Sequence, residues 1–271
     1  MYESYWKLKE KPFRNTPDPK FFFSSNQHED SLLKLTYAAA ESMGAAMLTG
    51  VFGCGKTLIG QSLIKNLGEE RYRLAFINNP QLSSQELLRS IVRSLKATQL
   101  PTKMTEIMSD ALLEVLQEIL LDNMRDGKET IVIIDEAHII KDDDVFETLR
   151  LLLNFQLQNK FLVTLFLFGQ PELRDKVNNY KQLEQRIALR CHLDRFNEKE
   201  TSAYIQHRLK IAGRENEIFT PEALKLIHEK TGGIPRRINH LCDLSLLTGF
   251  GRKTEKINPD VIQKSSKEFG S

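Results

Sequence analysis

No stretch of this sequence stays apolar for the roughly 20 residues that a membrane-crossing helix needs; the longest apolar runs are Ile131 to Ile134 and Phe161 to Phe168. The first residues, MYESYWKLKEKPF, lack the apolar core of a secretory leader and read as part of the folded protein. Cysteine is scarce. Cys54, Cys191 and Cys242 lie far apart and form no CxxC pair, and an odd number cannot all pair, which argues against a disulfide framework or a zinc site and for a reducing compartment. A strong charge of one sign is missing as well. With 38 basic against 36 acidic residues the formal charge is +2, so net charge gives no support to binding bulk DNA or an anionic membrane surface, and only a local basic patch is left open. Low-complexity blocks are absent, so the chain is expected to be ordered nearly throughout. What is present is ample apolar material, 41% of 271 residues, enough for one large α/β domain and a smaller attached one.

Residues 1–30 carry Tyr5, Trp6, Phe13, Pro17, Pro19 and the run Phe21 to Phe23, and read as an irregular segment packed on the surface of the core. Helical spacing over Asp30 to Ser42 leads into a buried strand at Gly44 to Thr49, a glycine-rich turn, and a helix at Leu58 to Leu67. Further strands are expected at Arg73 to Asn78, Thr130 to Ile134 and Phe161 to Phe168, with helices at Ser84 to Leu95, Thr105 to Arg125 and Val145 to Phe155. Strands alternating with helices predict βαβ units and a mainly parallel sheet covered on both faces. From Phe196 onward the strand signals stop. Asn197 with Glu200 has the form of a capping box on a helix that Gly213 ends; Thr220-Pro221 opens a second, Pro235 a third that Gly251 closes, and Asn258-Pro259 a fourth. The expected division is an N-terminal segment over 1–30, an α/β core over 31–195 and a helical domain over 196–271.

The run Gly50-Val51-Phe52-Gly53-Cys54-Gly55-Lys56-Thr57 fits GxxxxGK[ST] at every fixed position and sits between a predicted strand and a predicted helix. Its glycines let the backbone curl so that N–H groups, with the helix N-terminus, surround phosphate oxygens; Gly50, Gly53, Cys54, Gly55, Lys56, Thr57 and Leu58 form this nucleotide-binding set. Lys56 reaches the β- and γ-phosphates as a point charge, and Thr57 offers its hydroxyl to Mg²⁺. A helix N-terminus lowers a thiol pKa, but for Cys54 a filler position in the loop is the simpler reading. The apolar strand Ile131 to Ile134 stops in Asp135 and Glu136. A hard cation needs oxygen ligands, which Asp135 supplies directly or through water, and Glu136 can orient and deprotonate the attacking water. His138 stays outside the catalytic set, because a polar residue just after a strand end is usually structural.

Gln170 follows the Phe161 to Phe168 strand, at the end where ligands sit in α/β sheets; it can bond the γ-phosphate or the lytic water, or be a plain turn residue. Arg186 and Arg190 share one face if their stretch is helical, and there either a surface salt bridge or an arginine lent to a neighbouring subunit's nucleotide fits. Arg236 opens a helix after Gly232-Gly233, a combination of cation and helix N-terminus that suits phosphate and would couple the helical domain to the nucleotide.

Taken in this order, the motifs resemble an AAA+ ATPase of the ExeA, or general secretion pathway protein A, type. The resemblance covers nearly the whole chain: Tyr5-Trp6 with Pro12-Phe13, Thr16-Pro17-Asp18-Pro19, the phosphate loop, Ile134-Asp135-Glu136-Ala137, Leu149 to Asn154, Gly169-Gln170-Pro171-Glu172-Leu173, Tyr204 to Leu209, and Gly233 to Asn239. It implies an α/β P-loop NTPase core with a parallel sheet covered by helices, followed by a small all-helical lid. It gives Gln170 a sensor-1 role, Arg236 a sensor-2 role and Arg186 or Arg190 the trans-acting finger, and it brings Pro17 to Phe23 near the adenine. It also implies Mg²⁺-dependent ATP hydrolysis in a ring or filament of subunits with ATP at their interfaces. The expected function is to drive assembly or remodelling in a secretion or pilus-type system, with proteins of that machinery as partners. Lys141-Asp142-Asp143-Asp144 departs from the family pattern and reads as an acidic helix cap or a partner contact. Relatives in secretion continue into a membrane-spanning segment, so the expected location is cytoplasmic, peripheral to an inner membrane, or the cytoplasmic part of a longer membrane protein. The alternative is an ATP-dependent DNA-binding regulator of the kind that accompanies transposases, with Lys199, Arg208, Lys210, Arg214, Arg236, Arg237, Arg252 and Lys253 as its basic patch.

Overall fold

The computed structural model describes residues 1–95 and 109–269, so the first four residues of the helix expected from Thr105, and Gly270-Ser271, lie outside the described residues. The chain divides into two compact units: Glu29–Val51 with Ile59–Leu193, and Met1–His28 with Phe52–Leu58 and Asp194–Ser271.

The first unit is an α/β layer structure. Its elements run α1 (Asn26–Ala40), β1 (Ala45–Gly50), α2 (Lys56–Leu67), β2 (Tyr72–Ile77), α3 (Ser84–Leu95), α4 (Ser109–Arg125), β3 (Glu129–Ile134), α5 (Asp143–Leu152), a two-stranded ribbon of β4 (Gln156–Leu157) and β5 (Lys160–Phe161), β6 (Val163–Gly169), α6 (Glu172–Asn179), α7 (Lys181–Glu184) and β7 (Ile187–Leu193). The main sheet has the order β2-β3-β6-β1-β7 and all its pairs are parallel. Because βαβ crossovers cover a parallel sheet on both faces, the central strands are apolar throughout rather than alternating, and every residue of β1 and β6 is buried. Period-2 geometry then sorts them. Ile77, Ile134 and Leu167 join the core formed with α3, α4 and α5. Phe76 and Phe168 face the other way, where Gly60 lets α2 lie close: a Cβ there would come within 3.0 Å of Phe168 and 3.1 Å of Phe76.

Several expectations shift here. The strand expected over Phe161 to Phe168 is split, with its first residue in the ribbon. The acidic run caps a helix: Asp142 accepts from the Asp144 N–H, and α5 ends at Leu152, short of the expected Phe155. The stretch carrying Arg186 and Arg190 is not helical. Ile187–Leu193 is an edge strand, apolar at only part of its positions because one side lacks a neighbour.

The second unit is helical: α8 (Glu198–Ile211), α9 (Pro221–Thr231), α10 (Pro235–Arg252) and α11 (Pro259–Phe269). The capping box is present in full: Glu200 N–H donates to Asn197 Oδ1 and Asn197 N–H to Glu200 Oε2, both at 2.9 Å. Thr220 caps α9 with Pro221 in its first turn. Gly251 does not close α10. The helix runs on to Arg252, and Lys253 takes the left-handed conformation that ends it. The N-terminal segment, expected against the α/β core, belongs with this unit. Tyr2, Trp6, Leu8, Phe13 and Phe21 share its apolar cluster, the Trp6 indole donates to the Leu246 carbonyl, and Lys9 N–H bonds the Ala212 carbonyl.

Candidate functional site

In the α/β unit, β1 and β3 both flank β6 in a parallel sheet, so Gly50, Asp135 and Gly169 arrive at the same carboxyl edge. That edge is where α/β sheets present ligand-binding groups. Asp135 is 3% exposed; its N–H extends the β2–β3 ladder to the Ile77 carbonyl, and its Oδ1 accepts the Glu136 N–H at 2.9 Å. Glu136 holds φ 55°, a left-handed conformation a non-glycine residue adopts at a cost of order 1 kcal/mol or more, which turns the chain sharply after the strand. A short 3₁₀ turn, Ala137–Ile139, follows. There His138, not counted among the site residues from the sequence, places its ring between Gln170, at 2.8 Å, and Glu136, at 3.4 Å. In the sequence His138 stands two residues past Glu136, and nothing local names Gln170 as its partner.

The phosphate-loop residues Phe52–Leu58 cluster with the helical unit, although the sequence places them in the core domain. The loop curls as its glycines permit, with Gly53 at φ 82° and Gly55 at φ 104°, and α2 opens at Lys56. Two side chains crowd these positive-φ glycines: a Cβ would lie 2.8 Å from Arg236 Cβ at Gly53, a clash, and 3.2 Å from His28 Nε2 at Gly55, a tight contact. Arg236 N–H donates to the Gly53 carbonyl at 3.2 Å, and its guanidinium stands 4.9 Å from the centre of the Phe52 ring. Gly233, at φ 71°, packs against the Phe196 backbone, where a Cβ would strike the carbonyl oxygen at 1.9 Å. Cys54 is fully buried and its carbonyl accepts from His28, so it fills the loop rather than offering a reactive thiol. Lys56 is 5% exposed.

A curled loop crowded at its glycines, ending in a buried lysine at a helix start, fits a polyphosphate. Among the described residues no group of three or more His, Cys, Asp or Glu is arranged to hold a metal. Mg²⁺ needs no such cage, because phosphate oxygens and water supply most of its ligands. A cavity of about 730 Å³ in the helical unit is bordered by Arg14, Asn15, Thr16, Pro17, Arg236 and His240, so one end of the Pro17 to Phe23 segment shares a wall with Arg236. Phe21 and Phe23 are committed elsewhere: Phe21 lies under Arg208, and Phe23 packs against Phe196, Tyr204 and His207.

The remaining arginines divide by what they touch. Arg186 donates to the Leu153 carbonyl at 2.9 Å and to Asn154 Oδ1 at 3.3 Å, whereas Arg190 donates to the Glu184 carboxylate at 3.0 Å and to Asn178 Oδ1 at 3.4 Å. Arg208 leaves the proposed basic patch. It is 5% exposed and spends its guanidinium on the Pro12 and Arg14 carbonyls and the Tyr204 hydroxyl. No helix among the described residues is long and apolar enough to cross a membrane.

A family model described as an AAA domain matches residues 40–177. General secretion pathway protein A of Aeromonas hydrophila is 37% identical over 260 residues, 95% of this chain and 46% of that protein. The chain spans less than half the length of the curated relatives it matches. Among solved structures, Cdc6p from Pyrobaculum aerophilum aligns with a TM-score of 0.74 at 20% identity, over 93% of this chain and 71% of that one. The ORC1 protein of Aeropyrum pernix, in complex with DNA, aligns with a TM-score of 0.71 at 17% identity, over 97% and 70%. At those identities the likeness is one of fold.

Proposed function

The chain belongs to the AAA domain family, as an AAA+ ATPase of the general secretion pathway protein A type, and on that premise we propose that it binds ATP with Mg²⁺ and hydrolyses it to ADP and phosphate. The observation that carries this reading is the pairing at one sheet edge: β1 runs into a complete phosphate loop while β3, one strand removed, ends in Asp135 and Glu136. In this reading the backbone from Gly50 to Leu58 cradles the phosphates and Lys56 supplies positive charge to the β- and γ-groups. Thr57 and Asp135 would hold Mg²⁺, whose chemistry when bound would be to neutralise charge on the phosphate oxygens. Glu136 takes a proton from the attacking water, Gln170 senses the γ-phosphate, and Arg236 links the helical unit to the loop it already touches. The finger, Arg186 or Arg190, acts on a neighbouring subunit's nucleotide, which makes a homo-oligomer, ring or filament, part of the proposal.

The work done by hydrolysis is assembly or remodelling in a secretion or pilus-type system, with that machinery's proteins as partners; the 37% identity to general secretion pathway protein A supports this over a DNA-organising role. A position at the cytoplasmic side of an inner membrane goes with it. Phosphate release by the full chain tests the chemistry. Lys56→Ala should lose nucleotide binding, and Glu136→Gln should bind ATP without turning it over; wild-type turnover in both variants rejects the site. Duplex-DNA binding that needs ATP and weakens steeply with salt would transfer the function to the DNA-regulator class.

A further inference from the structure

The turn after β3 is tied to the turn after β6 by more than strand pairing. Lys176, on α6, donates from Nζ to the carbonyl oxygens of His138 at 2.5 Å and Ile140 at 2.7 Å. Gly169 admits the close approach, since a Cβ there would lie 3.2 Å from the His138 backbone nitrogen and 2.9 Å from Leu173. The His138 side chain, 12% exposed, bridges the two turns: Nε2 is 2.8 Å from Gln170 Nε2, and Nδ1 is 3.4 Å from Glu136 Oε2.

Chemistry orders the protons in this arrangement. An amide nitrogen only donates, so His138 Nε2 accepts, and the proton of the neutral ring sits on Nδ1, on the side of the Glu136 carboxylate, 3.4 Å away in a polar contact that is not an aligned hydrogen bond. The opposite amide orientation would place the Gln170 oxygen against Nε2, draw the ring proton there, and leave an Nδ1 lone pair against the Glu136 carboxylate; the network therefore selects the first assignment.

From this geometry we infer that His138 is a positioning residue for hydrolysis, coupling Gln170, to which it is hydrogen-bonded, with Glu136, which it meets in a polar contact. The Glu136 carboxylate is 31% exposed and, without a partner in the turn, would be free to exchange rotamers. With His138 in place, the orientation of the residue that meets the γ-phosphate and the orientation of the residue that takes the proton are set together. The inference rests on Glu136 acting as the base.

The test uses the full chain and measures ADP affinity, kcat and KM for ATP. His138→Phe keeps a ring of similar size without its polar contacts; it should leave affinity within about twofold and lower kcat roughly tenfold or more, a part of the ~10²–10⁴ that a positioned base contributes. His138→Gln can still donate to Glu136 and accept from Gln170, and should recover most of that loss. Gln170→Ala should cost much less in the His138→Phe background than in the wild-type chain. Glu136→Gln separates the two readings. If it retains turnover, the base assignment falls, whatever His138 does. If it is inactive while His138→Phe turns over normally, or while the Gln170 and His138 effects simply add, the positioning role is overturned. Equal losses of affinity and kcat that His138→Gln does not relieve overturn it too. Should His138→Phe fail to fold, His138→Gln paired with Gln170→Ala carries the same cycle, with additivity again the overturning result.

Discussion

His28 Nε2 lies 3.1 Å from the carbonyl oxygen of Cys54, and His28 Nδ1 lies 2.7 Å from Ser25 Oγ. A carbonyl only accepts, so Nε2 carries the ring proton and Nδ1 accepts from the serine hydroxyl. The first turn of α1 thereby holds the middle of the phosphate loop from the side its glycines leave open. His28→Ala should weaken ATP binding by about tenfold, the worth of one buried hydrogen bond of roughly 1–1.5 kcal/mol. Calorimetric titration with ADP checks this; unchanged affinity would mean that the loop keeps its shape without the ring.

The same histidine makes stability depend on pH. Burial is the main cause that lowers the His28 pKa, ahead of the bond to Cys54, which raises it. With a folded value below the unfolded one, near 6.5, the unfolded chain binds more protons in the interval between them, so stability rises with pH there and falls on acidification below about 6.5. His207, also lowered chiefly by burial, acts in the same direction. His28→Gln should therefore flatten, without abolishing, the loss of melting temperature between pH 7 and 5. A variant whose melting curve tracks the wild type across that range would rule out His28 as a contributor.

The nucleotide motifs are legible in the sequence because their chemistry fixes residue type and spacing over a few consecutive positions: Lys56 must follow its glycines, and Asp135 and Glu136 must end an apolar strand. Capping signals are local in the same way, which is why Asn197 with Glu200 and Thr220-Pro221 read correctly. His28 and His138 do not read out, because their partners, Cys54 and Gln170, are brought to them only by the fold. The strand Ile187–Leu193 is hidden for a different reason. At a sheet edge its exposed Ala188, Arg190 and His192 dilute the apolar pattern that exposes β1 and β6. Arg208 looks like surface charge in a run of polar residues, and only packing shows that it is enclosed by the N-terminal segment.

That enclosure predicts a structural phenotype. The Arg208 guanidinium ties Pro12 and Arg14 carbonyls to the Tyr204 hydroxyl and stands 4.7 Å from the centre of the Phe21 ring. Arg208→Ala leaves several buried acceptors without a donor and should cost about 3 kcal/mol or more. Arg208→Lys, with one donor point in place of a planar fork, should recover only part. Residues 1–25 should become sensitive to limited proteolysis in step with the loss of stability; an N-terminal segment that stays protected in Arg208→Ala would show that its aromatic anchors suffice.

The two candidate fingers differ in charge compensation. Arg190 is paired with the Glu184 carboxylate, so its charge is largely answered within its own subunit. Among the described residues, Arg186 is oriented by neutral acceptors, the Leu153 carbonyl and the Asn154 side chain, with Phe161 beneath it at 5.8 Å from the ring centre, and these hold the fork in place without neutralising it. A group that stabilises charge spreading over a neighbour's γ-phosphate needs that uncompensated charge, which favours Arg186. Arg186→Ala should keep ADP affinity, lose about 1–2 kcal/mol of stability from the broken bonds, and abolish turnover, while Arg190→Ala should change turnover only slightly. Mixing decides whether the residue acts in trans. In assemblies of Arg186→Ala with Glu136→Gln subunits, some interfaces combine an intact Glu136 from one subunit with an intact Arg186 from the next, so activity should reappear although each variant alone is inactive. A mixture as silent as its components would place Arg186 in its own subunit's architecture rather than its neighbour's chemistry.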